Sequence, residues 1–78
     1  MDVEVAVFAG LRRKIRRGKG GPFPVALKER ADIAGLLRTL DIAPRLTKII
    51  MVNGRHAGLQ KKLREGDHVD IFPPVAGG

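Results

Sequence analysis

Few side chains in this 78-residue sequence are able to do chemistry. There is no cysteine and no serine, so thiolate nucleophiles, thiolate metal sites, disulfides and serine-centred triads are all excluded. His56 and His68 are the only histidines, and two imidazoles without a thiolate make a poor metal set, so no metal site is expected and both read as exposed polar residues. Gly18-Lys19-Gly20-Gly21 leads into proline and strand rather than into a helix, so a phosphate-cradling loop fails on context. What remains is the end of the sequence, Pro73-Pro74-Val75-Ala76-Gly77-Gly78. Neither proline can donate a ladder hydrogen bond, so strand pairing stops there and the tail leaves the body of the fold. Ala76, Gly77 and Gly78 present almost no side chain, and an extended backbone of that kind can enter a channel too narrow for ordinary residues. The reactive group at the tip is the α-carboxylate of Gly78, a poor acyl donor until it is activated, as ATP does by forming an acyl-adenylate. Taken alone, Gly-Gly is equally the mark of a frayed terminus.

Charge is the second signal. The formal net charge is +7, from 15 Lys and Arg against 8 Asp and Glu. Residues 10–21 hold Arg12, Arg13, Lys14, Arg16, Arg17 and Lys19 with no acid among them, which leaves 9 basic against 8 acidic residues elsewhere. This basic loop has three readings: a solvated hairpin extension, a surface that speeds docking to an acidic partner, or a contact for nucleic-acid phosphates. It contains no aromatic to stack on bases, so nucleic acid ranks last. The opening Met1-Asp2-Val3-Glu4 has no basic region and no long apolar run, so neither a signal peptide nor a membrane span is expected and the cytoplasm is the default location. A domain of this size buries only about 60% of its unfolded surface, which favours a carrier or binding module over a free-standing enzyme.

The elements that must position the tail follow from periodicity. Val3, Val5 and Val7 alternate with Glu4, Ala6 and Phe8, a period-2 strand with one wholly apolar face and Phe8 on the other. Leu11 and Ile15 stand at i, i+4, so residues 11–17 form a short helical turn. Residues 22–27 read as a second strand confined to an edge by Pro22 and Pro24. Asp32 is a plausible N-cap for a helix carrying Ile33, Leu36, Leu37 and Leu40, although Gly35 occupies the capping-box position and leaves the start expected to fray. Pro44 closes that region. Residues 48–53 form a third strand, apolar on both parities and hence expected to be central or covered, and Asn53-Gly54 signals a turn. Leu59 and Leu63 are expected to anchor the connector that follows. Gly66-Asp67 turns into a last strand with Val69 and Ile71 on one face and His68, Asp70 and Phe72 on the other.

Leu63, Gly66, Asp67, Val69, Phe72, Pro73, Pro74, Val75, Gly77 and Gly78 together match the end of the MoaD/ThiS family of ubiquitin-like sulfur carriers, which reads Leu-x-x-Gly-Asp-x-Val-x-Phe-Pro-Pro-Val-x-Gly-Gly. Leu11-Arg12 and Val52-Asn53 also recur in the family. The chain resembles this family over nearly its whole length, weakly in the middle and specifically at the end, and the Pro-Pro-Val form looks more like the molybdopterin synthase small subunit than the thiamine carrier. The resemblance implies an α+β, β-grasp fold: a mixed sheet of four to five strands, one main helix on one face, and the first and last strands as parallel neighbours. Residues 1–72 would be the β-grasp domain and 73–78 a flexible tail. The resemblance implies further that an ATP-dependent adenylyltransferase of the ubiquitin-activating type adenylates Gly78 and that a sulfur donor converts it to a thiocarboxylate (1-thioglycine). The tail would then deliver sulfur inside the molybdopterin synthase large subunit, for a molybdenum or tungsten cofactor. Without cysteine, the sulfur cannot ride on a side chain. The chain itself would be a carrier with no bound cofactor, catalysis lying in its partners, and Phe8 and Phe72 would form the apolar patch that meets them. Sulfur supply for thiamine or tRNA thiolation, attachment to lysines as a protein modifier, and a β-grasp RNA-binding module using the basic loop are the alternatives.

Overall fold

The computed structural model describes residues 1–11 and 21–74. Among them are five strands and one helix: β1 (Asp2–Val7), β2 (Phe23–Ala26), α1 (Ile33–Thr39), β3 (Ile49–Val52), β4 (Arg55–His56) and β5 (His68–Phe72), with a 3-10 turn at Pro44–Leu46. The strands form one sheet in the order β2-β1-β5-β3-β4. β1 and β5 are parallel, while the β1–β2, β3–β5 and β3–β4 pairs are antiparallel. This is the β-grasp architecture. The basic cations Arg12, Arg13, Lys14, Arg16, Arg17 and Lys19, most of the expected helical turn, and Val75, Ala76, Gly77 and Gly78 lie outside the described residues.

The alternation in the sequence decides which face is covered. Val3, Val5 and Val7 of β1, Val69 and Ile71 of β5, and Ile50 and Val52 of β3 are buried against Ile33, Leu36 and Leu37 of α1. Phe23 and Val25 of β2, together with Leu11, Leu40, Ile42 and Leu63, complete that core. Burying each of the helix's large apolar side chains contributes about 1.5–3 kcal/mol, which fixes α1 to one face. Among the described residues the opposite face carries no helix. β2 takes the edge position that Pro24 requires, opposite Glu4.

Both ends of α1 are better tied than their sequence indicates. The Asp32 carboxylate accepts from the Gly35 N–H at 2.9 Å, which, more than the nearby Lys62 and Arg38 cations, holds its pKa below the ordinary 3.8. The Ile33 N–H donates to the Lys61 carbonyl and the Ala34 N–H to the Leu59 carbonyl, at 3.1 and 2.9 Å. The first orphan donors are thus satisfied by the connector, and the missing capping-box carboxylate is not needed. At the other end Asp41 adopts a left-handed φ of 58°. Its N–H reaches the Arg38 carbonyl and that of Ile42 reaches the Leu37 carbonyl, the double closure usually made with glycine.

One packing expectation is corrected, and one is met by position in the sheet but not by cover on both faces. Leu59 does not anchor the connector with Leu63: its side chain is 39% exposed and only its carbonyl is used, whereas Leu63 is 2% exposed. β3 is internal to the sheet, but only one of its faces is covered. Ile49 is 38% exposed and Met51 half-buried, because they point to the helix-free side.

Candidate functional site

The tail root is built by the parallel pairing of β1 and β5. Val7 stands beside Ile71 in that register, and the Phe8 N–H extends the ladder by donating to the Ile71 carbonyl at 3.1 Å. One residue further on, Phe8 and Phe72 lie side by side on the helix-free face. Their rings stack with centroids 4.4 Å apart and planes 8° from parallel. Ile49 pairs with Phe72 from the other side, so an apolar row of Phe8, Phe72 and Ile49 crosses the sheet where the chain leaves it. Pro73 is half-buried and Pro74 exposed. Hydrogen bonding stops at the prolines because they have no N–H to give. Ile49 was missed as a member of this row: the continuous apolar run Ile49-Ile50-Met51-Val52 hides which residues face out.

A polar band lies one step down the same face. The His68 ring is held between two carboxylates, Nδ1 3.1 Å from Glu4 Oε1 and Nε2 3.0 Å from Asp70 Oδ1. The expectation of two merely exposed histidines therefore holds for His56, which is exposed, but not for His68, which is half-buried and bracketed. Glu4 and His68 are partners in the parallel register, 64 residues apart in sequence, so no local pattern could show the contact. Among the described residues no group of three or more His, Cys, Asp or Glu stands close enough to hold a metal ion.

The far end of β5 is organised by Asn53, whose φ of 52° places it in the left-handed region. Its amide donates to Asp67 Oδ1 at 2.9 Å and accepts from the His68 N–H at 3.0 Å, while Asp67 Oδ2 accepts from the Arg64 N–H at 2.8 Å. Asn53 and the Gly66-Asp67 turn thereby start β5 in register. At the tail end, Phe23 opens β2 opposite Val5, and Leu11 is buried. The basic loop is thus rooted at the end of the sheet from which the tail departs. Among the described residues there is no nucleophile–base pair; the arrangement presents a partly exposed apolar row beside the root of a glycine-ended segment. No described helix is long and apolar enough to cross a membrane.

The model of the ThiS family matches residues 5–78 of the sequence. A comparison with curated proteins finds no match. Among solved structures, the chain is similar to the Haloferax volcanii HVO 2177 protein, at 28% identity and a TM-score of 0.80, covering 100% of this chain and 87% of that one. It is similar to a chain of the complex of subunits 1 and 2 of the molybdopterin-converting factor from Helicobacter pylori, at 26% identity and a TM-score of 0.62, covering 100% of both chains. It is also similar to small archaeal modifier protein 1 from Methanosarcina acetivorans, at 27% identity and a TM-score of 0.67, covering 99% and 96%.

Proposed function

The chain belongs to the ThiS family, among ubiquitin-like sulfur carriers and modifiers, and on that footing we propose that it carries sulfur on its C-terminal Gly78 for molybdopterin-type cofactor synthesis. The observation that carries the reading is the Phe8–Phe72 stack at the base of Pro73-Pro74, an apolar anchor set where the tail begins. An activating enzyme docked on that row receives the tail in an extended channel. The Gly78 carboxylate attacks the α-phosphate of ATP, an acyl-adenylate forms and pyrophosphate leaves. A sulfide-level nucleophile from a donor then attacks the carbonyl carbon, the bond to the AMP oxygen breaks and AMP leaves, giving the thiocarboxylate. In a synthase large subunit that sulfur passes to the acceptor, and water restores the carboxylate. The likeness to a subunit of a molybdopterin-converting factor supports this pathway. Pro73, Pro74, Val75, Ala76 and Gly77 act as the thin stalk, and the basic loop as an electrostatic guide beside it.

The test is to incubate the chain with ATP, a sulfur donor and an activating enzyme, and to record intact mass. Replacement of one oxygen by one sulfur at Gly78 is expected, together with ATP–pyrophosphate exchange that depends on the chain. No exchange with any activating enzyme of this class would refute the proposal. A second reading, transfer of Gly78 to a lysine amine as a modifier, is favoured by the likeness to small archaeal modifier protein 1. It predicts isopeptide-linked products instead of, or beside, the thiocarboxylate.

A further inference from the structure

The helix-free face of the sheet has an acidic half beside its apolar row. Register and parity put Asp2, Glu4, Met51, His56, His68 and Asp70 on that side, further along the strands from Phe8, Phe72 and Ile49. The sequence holds 15 Lys and Arg against 8 Asp and Glu. Yet no strand position on that side is a Lys or Arg, and three are carboxylates. The face therefore runs against the charge of the chain that bears it.

Glu4 and Asp70, from neighbouring strands, are gathered around the His68 ring at 3.1 and 3.0 Å. Each meets the ring through one oxygen, and neither carboxylate has a further partner among the described residues. Two carboxylates against one imidazole leave at least one negative charge there, whichever form the ring takes. The Glu4 side chain is 60% exposed and that of Asp70 22%, so the pair is open to a partner from outside. Along β5, Asp70 stands about 7 Å and His68 about 13 Å from Phe72. A macromolecule seated on the stacked rings and Ile49 must cover the acid pair as well. Phosphates are repelled there, which sets nucleic acid aside. An apolar or acidic group would leave the carboxylates desolvated and unpaired, at a cost. A cation answers both. An exposed ion pair contributes little, but one from which the seated partner excludes water contributes more.

We propose that the protein receiving the tail presents a Lys or Arg to Glu4 and Asp70, about 7–13 Å from the apolar hollow that takes Phe72. The inference rests on the sulfur-carrier reading above and adds to it the chemistry of the partner's surface. The six cations of the basic loop are tethered between Leu11 and Phe23, at the Phe8 end of the sheet. Charge thus changes sign across the apolar row, and a complementary partner is satisfied in one orientation only.

The experiment is ATP–pyrophosphate exchange by an activating enzyme, with the full chain as varied substrate. Glu4→Gln with Asp70→Asn should raise KM about tenfold and leave kcat within about twofold, because the pair acts in docking and not on Gly78. Glu4→Gln alone, at the more exposed side chain, should raise KM about threefold, so the result stands even if the double variant melts early. Glu29→Gln with Asp41→Asn is the control: neither residue lies in a strand, and asparagine tolerates the left-handed φ at position 41. Both double variants raise the formal charge from +7 to +9, so a response to net charge alone would move them together, whereas the control should leave KM as it is. E4K/D70K should bind worse still and be rescued by reversing one enzyme Lys or Arg to Glu, found by scanning the cations around the hollow. If the native chain is accepted and Glu4→Gln with Asp70→Asn matches either the native chain or the control, or if no enzyme cation gives rescue, this inference is overturned and the sulfur-carrier reading stands. If no activating enzyme accepts the native chain, both fall.

Discussion

Replacing Phe72 by alanine separates docking from folding, because the stack is half outside the core. The Phe72 carbonyl accepts from the Lys48 N–H at 2.7 Å, and the strand pairs with Ile49 through its backbone; alanine retains both. What is lost is the ring stacked on Phe8 at 4.4 Å, worth about 0.5–1.5 kcal/mol beyond its area. A chain of this size loses about 4–8 °C of melting temperature per kcal/mol, so a fall of several degrees is expected. A buried phenylalanine would cost about 3–5 kcal/mol instead. Against an activating enzyme that accepts the native chain, F72A should weaken binding by about 1–3 kcal/mol, as for an aromatic anchor at an interface centre. Urea unfolding and calorimetric titration of F8A, F72A and the double variant complete the cycle. A stability loss in the core range, with binding unaltered once folding is corrected for, would show that the stack is structural and not a docking row.

Deleting Gly78, or adding one residue after it, is expected to abolish thiocarboxylate formation by intact mass while leaving the unfolding curve in place, since β5 ends at Phe72. Asn53→Ala loses two side-chain hydrogen bonds and strains a left-handed position, and should destabilise by about 1–3 kcal/mol in urea. Asn53→Gly relieves the strain but not the lost bonds, so it should fall between alanine and native; equal stability of all three would show that the Asn53–Asp67 link contributes nothing. The Asp32 carboxyl is held below 3.8, first by the Gly35 N–H, so folding favours its ionised form. Its contribution is complete above pH 3.8 and is lost as pH falls through the lower folded value. Asp32→Asn keeps a capping oxygen and removes this titration, so the acid limb of its urea midpoint against pH should be flatter than that of the native chain.

The covered face of the sheet was legible because it obeys short periods: the valines of β1 alternate, and Ile33, Leu36 and Leu37 recur at helical spacing. The Phe8–Phe72 stack could be anticipated only by joining strand parity to the parallel pairing implied by the family resemblance. Other features had no local signature. The two residues of β4 are too few for a period, and Ile49 and Met51 sit in a run with no polar residue to mark the outer face. Leu59 is apolar by type yet serves through its carbonyl. Asp41 does glycine's work at the helix end, which a search for glycine passes over. The bracketing of His68 by Glu4 and Asp70 depends on register between distant segments, to which a local reading is blind.

The position of β5 has a mechanical consequence. The strand that bears the tail is bonded on both sides, to β1 in parallel and to β3 in antiparallel register. A pull applied through Pro73 along the strand loads both ladders in shear, so their hydrogen bonds must yield together rather than unzip one at a time. The edges, two-residue β4 and proline-bearing β2, lie off the line of force. A partner that grips the tail can tug on it to place or withdraw the carbonyl without unravelling the body behind it. An unfolding motor would make faster progress from an edge strand than from the tail.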